Sequence, residues 1–259
     1  MQSQSPGSRA AVITIPLSTE DLIGMRFAFS PLCETILSFR VLLKPDEHIV
    51  HIPWATRARK ALRGTNLRPL AMMYAEGHAC PDFLSPPPTV SLASFEHELE
   101  RFRETPSDLI RDDVEHFVYQ VTEVISRRHL GPEQARALDG YLKAPRVSLH
   151  RLAETLLRYH DLAIAPYWPR MHALLEGDML KRAQALALGG AEALFSDLNP
   201  DLHYRGGSLE LNRPYRSTCT VDDSFLVLEQ HPFTLLPSSR FHSIWGRVGK
   251  HRPKGGSRG

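Results

Sequence analysis

Apolar residues recur at spacings of three and four through much of the chain, and that period belongs to helices rather than strands. In residues 107–127, Ile110, Val114, Phe117, Val118, Val121 and Ile125 form one stripe, opposite Asp112, Asp113, Glu115 and Glu123. Residues 148–163 repeat the pattern with Leu149, Leu152, Ala153, Leu156 and Ala163. Pro166 and Pro169 interrupt it. Trp168, Met171, Leu175, Met179, Ala183 and Leu186 then mark one face of a long helix, with Gly189-Gly190 placed to bend it. Stripes of this kind are core signals, and Trp168, bracketed by prolines, is expected to anchor that core.

Local start and stop signals extend the reading toward the N-terminus. Ser30 as N-cap and Pro31 at the first helical position predict a helix to about Lys44, burying Leu32, Ile36, Phe39 and Leu43 before Pro45-Asp46 ends it. Upstream, residues 11–17 predict a short strand, and Thr19 is placed to cap a helix whose first turn carries Glu20 and Asp21. Two further short helices are expected over residues 53–64 and 67–74. Beyond Asn199 the period changes. Residues 202–204 and 208–211 flank Gly206-Gly207 as a hairpin, and residues 225–228 and 233–236 are strand candidates.

The fold class this predicts is mainly α (α+β): a helical bundle-like domain with an N-terminal strand and a small C-terminal β hairpin and strands. Its expected organisation is an N-terminal strand plus short helices (1–80), a Pro-rich linker (81–90), a helical core (91–198), a small β region (199–238) and a basic disordered tail (239–259). The linker sequence PDFLSPPPTV favours extended polyproline II and could equally be an arm packed over a subdomain. No repeat of solenoid length is present.

Charge sharpens this picture. The chain of 259 residues has a net charge of +2, but six of its 31 Lys/Arg lie in residues 239–259, where there is no acid. Residues 1–238 therefore carry 25 basic against 29 acidic side chains, a net −4, which is a poor composition for wrapping phosphate backbones. The cluster Arg57, Arg59, Lys60, Arg63 and Arg68 reads as a solvated helix face, because only Trp54 is interleaved with it. Three widely spaced cysteines, Cys33, Cys80 and Cys219, do not make a disulfide framework and fit a reducing cytoplasm. No apolar run reaches the roughly 18 residues of a membrane span, so a cytoplasmic protein with no membrane partner is expected.

Candidate chemistry is sparse. The phosphate-cradling glycine motifs and the GxSxG nucleophile elbow are missing. Of thirteen histidines, His48 with His51, and His78 with Cys80, sit close in sequence, but two ligands leave a zinc half coordinated, so no metal site is assigned. Cys33, near a helix start among apolar neighbours, reads as a buried thiol. Adjacent carboxylates such as Asp112-Asp113 and Asp222-Asp223 diverge rather than converge. The place to look for a polar pocket is Tyr159-His160-Asp161 with Tyr167-Trp168, where a core role for His160 outweighs a catalytic one. The residues thus assign no catalytic group, no cofactor and no enzyme activity.

Four segments nonetheless carry a resemblance. RFAFSPLCETILSFRVL (26–42), HIPW (51–54), PDFLSPPP (81–88) and LAIAPYWPRMHALLEGDMLKRAQALALGGAEALFSDLNP (162–200) resemble the N-terminal domain, of unassigned function, of actinobacterial ArsR-type winged-helix transcriptional regulators. The similarity covers residues 14–211, and APYWPR (165–170) with LLEGD (174–178) is its most specific part. The resemblance implies a homodimeric regulator in which a winged helix-turn-helix reads DNA and the larger domain senses a small-molecule effector or supports the dimer. No helix–turn–helix pattern follows the predicted strands here, and residues 240–259 read like an altered end. The expectation is therefore the sensing and dimerisation portion of a regulator, touching DNA only weakly through its C-terminal element. A stand-alone small-molecule-binding or protein-interaction module is the alternative.

Overall fold

The structure is a computed structural model that describes residues 11–75, 79–86, 88–125, 130–196, 202–213, 221–229 and 243–248. It is mainly helical with small β elements, and the chain divides into two units. One holds residues 1–28, 176–230 and 237–259; the other holds residues 29–175 and 231–236.

In the first unit, β1 (Ala11–Pro16) pairs antiparallel with β4 (Ser208–Arg213), which pairs antiparallel with β3 (Leu202–Arg205). Gly206 and Gly207, at φ 55° and 81°, make the turn between β3 and β4. Two consecutive positive φ values give a two-residue hairpin the twist of its strands, and glycine meets that demand without a Cβ penalty. Ile15, Leu17, Met25, Leu194, Phe195, Leu202 and Leu209 form this unit's core, with Phe195 stacked on Tyr204 at 5.5 Å. The short helix α1 (Thr19–Gly24) is capped by Ser18, not Thr19. Ser18 Oγ accepts from the Asp21 N–H while Asp21 accepts from the Ser18 N–H, a reciprocal box that needs its acid three residues after the cap.

A second small sheet in that unit has the order β2 (Arg26–Ala28), β5 (Val221–Glu229), β6 (Ser243–Val248). Here six residues of the tail expected to be disordered form a strand, and the rest of residues 239–259 lie outside the described residues. Residues 243–248 pair antiparallel with β5, because every second position there can join a ladder even where no stripe is visible. The strand expected at 233–236 lies outside the described residues.

The second unit is built on helices. It contains α2 (Pro31–Leu43), α3 (Ile52–Ala61), α4 (Arg68–Ala71), α5 (Phe95–Arg103), α6 (Ser107–Tyr119), α7 (Pro132–Lys143) and α8 (Pro145–Tyr159). The long helix α9 (Trp168–Ser196) begins in this unit, and its residues from Glu176 onward belong to the first. Ser30 caps α2 as its sequence predicts, accepting from the Cys33 N–H at 2.9 Å. Glu98, buried on α5, adds to that cap by accepting from Ser30 Oγ at 2.7 Å and from the Leu32 N–H at 2.9 Å. A carboxylate at a helix N-terminus is favoured by the macrodipole, although burial still pushes Glu98 above the usual carboxylate range. At the centre α8 packs against α2, α4, α5, α6 and α7.

Three expectations change in this unit, and a fourth changes where α9 continues into the first. Residues 81–90, expected as a linker or a packed arm, lie within the second unit, where Phe83 and Leu84 are buried in its core as a packed arm would be. Asp113, expected on the polar side of α6, is buried, because α6 is covered by α7, α8 and the turn at Asp82–Leu84 rather than along one stripe. Trp168 is only half-buried, while Trp54 is buried and donates from Nε1 to the Ala163 carbonyl at 3.0 Å. The α9 stripe also fades past Leu175. Ala183 is exposed, and Arg182 is buried instead, paired with Asp178 at 2.8 Å. Gly190, at φ 67° and ψ −162°, bends α9 where the double glycine predicts.

Candidate functional site

Two places in the helical unit gather polar side chains. The first is the turn that follows α8. Residues His160–Ile164 continue α8 as a π-helical turn, a geometry often associated with functional sites. The structure nevertheless draws the polar groups here into the core. His160 lies flat on Phe95, with ring centroids 3.6 Å apart and an interplanar angle of 4°. Its Nδ1 is 3.4 Å from Asp161 Oδ1, and burial lowers its pKa more than Asp161 raises it. Ser38 Oγ donates to the Thr35 carbonyl at 2.8 Å, so Tyr159, with its hydroxyl 2.8 Å from Ser38 Oγ, is the donor in that pair. Tyr74 likewise donates to the Ile36 carbonyl. Every hydroxyl in this set has an intramolecular partner. Tyr167 turns the other way, accepting from Arg57 Nε at 3.2 Å while the guanidinium lies 5.8 Å from its ring centre. The Arg57 cluster is exposed, as expected, but it has an aromatic neighbour that only folding supplies.

The second place is a cavity of about 380 Å³ between α4, α7 and α8. Asn66, Arg68, Pro69 and Met72 form one wall. Glu133, Arg136, Ala137, Gly140 and Tyr141 from α7, with Ser148 and Arg151 from α8, close the others. Gln134 fastens the first wall to α7, donating from Nε2 to the Met72 carbonyl at 3.1 Å and the Tyr74 carbonyl at 2.9 Å. The charged side chains are exposed at the rim and the apolar ones sit deeper. Tyr141 is 5% exposed, its ring packs on Phe83 at 5.8 Å, and no described residue hydrogen-bonds its hydroxyl. Burial pushes its pKa well up, so it stays a phenol and a donor.

The charges at the rim are unequal. Glu133 engages Arg68 at 2.9 Å. Arg136 uses its Nε on the Pro132 carbonyl at 3.2 Å and pairs with no described acid. Arg151 makes no side-chain hydrogen bond to any described residue. Three guanidiniums face one carboxylate, a net positive rim over an apolar floor.

Of the residue pairs considered for metal binding, one falls partly outside the described residues and the other gathers no third ligand among them. His78 lies outside the described residues, and among those described no three His, Cys, Asp or Glu side chains are grouped to hold an ion. Cys33 is buried. Desolvation pushes the Cys80 thiol up to about 12, so it is not a thiolate. Cavity residues from α7 and α8 carry no motif in the sequence. Their only signals are an arginine each at Arg136 and Arg151, ordinary on a helix surface. No described helix is long and apolar enough to cross a membrane. No protein-family model, curated protein or solved structure matches this chain, so any functional reading rests on its own residues.

Proposed function

We propose that this chain is the ligand-sensing and dimerisation portion of an ArsR-like transcriptional regulator, acting by binding rather than by chemistry. The observation that carries the sensing part is the cavity between α4, α7 and α8, where polar groups are left to an external partner. The transcription part is supported by the resemblance that APYWPR (165–170) and LLEGD (174–178) carry. DNA contact in this reading is limited to the basic residues after Ser239. A stand-alone binding module is the second reading, favoured by the net −4 charge of residues 1–238.

Sedimentation velocity and footprinting on the full chain test the choice. The regulator reading expects a dimer that retains DNA weakly and without sequence preference, with a log–log salt slope near −0.9 per phosphate neutralised. A monomer at every concentration, with no DNA retention, leaves the stand-alone module.

A further inference from the structure

We infer that the cavity between α4, α7 and α8 binds a small organic anion: a carboxylate or phosphate group carried on a flat apolar body. This rests on the sensing reading above and gives its effector a chemical class.

The anionic end follows from Arg136 and Arg151. Arg68 is held by Glu133, but no described acid pairs with either of these two, and both line the same space. A guanidinium presents parallel N–H donors that match the two oxygens of a carboxylate or the edge of a phosphate. The orienting polar contact follows from Tyr141. The Tyr141 ring is buried, no described residue hydrogen-bonds its hydroxyl, and as a phenol it can donate to an acceptor in the cavity it lines. Ser148 is a second hydroxyl without a described partner on the same lining. The apolar body follows from the floor. Pro69, Met72 and Ala137 are half-buried there, and a methionine thioether packs favourably against an aromatic ring. About 380 Å³ suits a ring with one charged substituent and falls at the small end of ligand pockets.

The experiment is calorimetric titration of the full chain with four probes: benzoate, phenyl phosphate, benzamide and inorganic phosphate. Benzoate or phenyl phosphate is expected to bind saturably, and whichever is tighter identifies the acid. Benzamide, which keeps the body without the charge, and inorganic phosphate, which keeps the charge without the body, should each bind at least about tenfold more weakly. Arg151→Ala should weaken the better probe about tenfold, and Tyr141→Phe, which preserves the ring's packing, several-fold. Equal binding of benzoate and benzamide, unchanged affinity in Arg151→Ala, or no binding by either aromatic anion overturns the inference. Such a result leaves the regulator reading to be judged on sedimentation and footprinting, which do not use these probes.

Discussion

The turn after α8 and the cavity beside α8 contain the same kinds of residue, put to opposite ends. At the turn, Tyr159, Ser38, Tyr74 and His160 are buried with partners supplied by the protein itself: a hydroxyl, a carbonyl, an aromatic face. At the cavity, Tyr141 is buried almost as deeply, yet its hydroxyl has no partner among the described residues. A buried polar group that is satisfied internally contributes to stability, whereas one that faces an open space is available to a ligand. Sequence reasoning pointed to the first place, since Tyr-His-Asp looks like chemistry. The difference teaches that residue type marks a polar place, and partner accounting decides whether it serves the core or a ligand.

The largest expected contrast is in stability. Phe95→Ala removes the buried ring beneath His160 and should cost about 3–5 kcal/mol, as deletion of a core aromatic does. Arg151→Ala, at the cavity rim, should stay within about 0.5 kcal/mol. Urea unfolding of both variants checks the pair, and comparable losses would erase the distinction. A finer comparison uses one chemical change in the two places. Tyr159→Phe leaves the Ser38 lone pair without its donor and should cost about 1 kcal/mol. Tyr141→Phe removes a hydroxyl that has no partner and should be neutral or slightly stabilising. Thermal melts resolve differences of this size.

The smallest effect is a dependence on pH. Burial holds the His160 pKa below its ordinary 6.5, outweighing the pull of Asp161. As pH falls through that value the unfolded chain takes up the proton first, so stability present above it is lost on acidification. His51 is shifted the same way by burial and by His48. His160→Gln should therefore flatten, without abolishing, the loss of stability between about pH 7 and 5. Glu98 acts in the opposite sense and is common to both proteins, so the variant is read as a difference from the parent. The Glu98 pKa is raised from 4.5, so its contribution is present below that value and is lost as pH rises through the folded pKa. An unchanged slope in the His160 variant would mean that the ring stacked on Phe95 does not titrate with folding.

The sequence by itself determined what depends on near neighbours. The helical period, Ser30 and Pro31 opening α2, the two glycines between β3 and β4, and the bend at Gly190 are all decided within a few residues by capping, φ preference and spacing. Even there, the choice of Ser18 over Thr19 turned on which carboxylate completes the reciprocal box. Only the tertiary structure decided which helix faces are covered and which polar groups go without partners. Asp113 is buried because α6 is enclosed from several sides, and Ala183 is exposed although it continues the apolar stripe of α9. The cavity brings Arg68 to Tyr141 and Arg151, which lie on consecutive helices much later in the chain. Periodicity reports one helix's own preference for a side, whereas a pocket is defined by where three helices fail to fill the space between them.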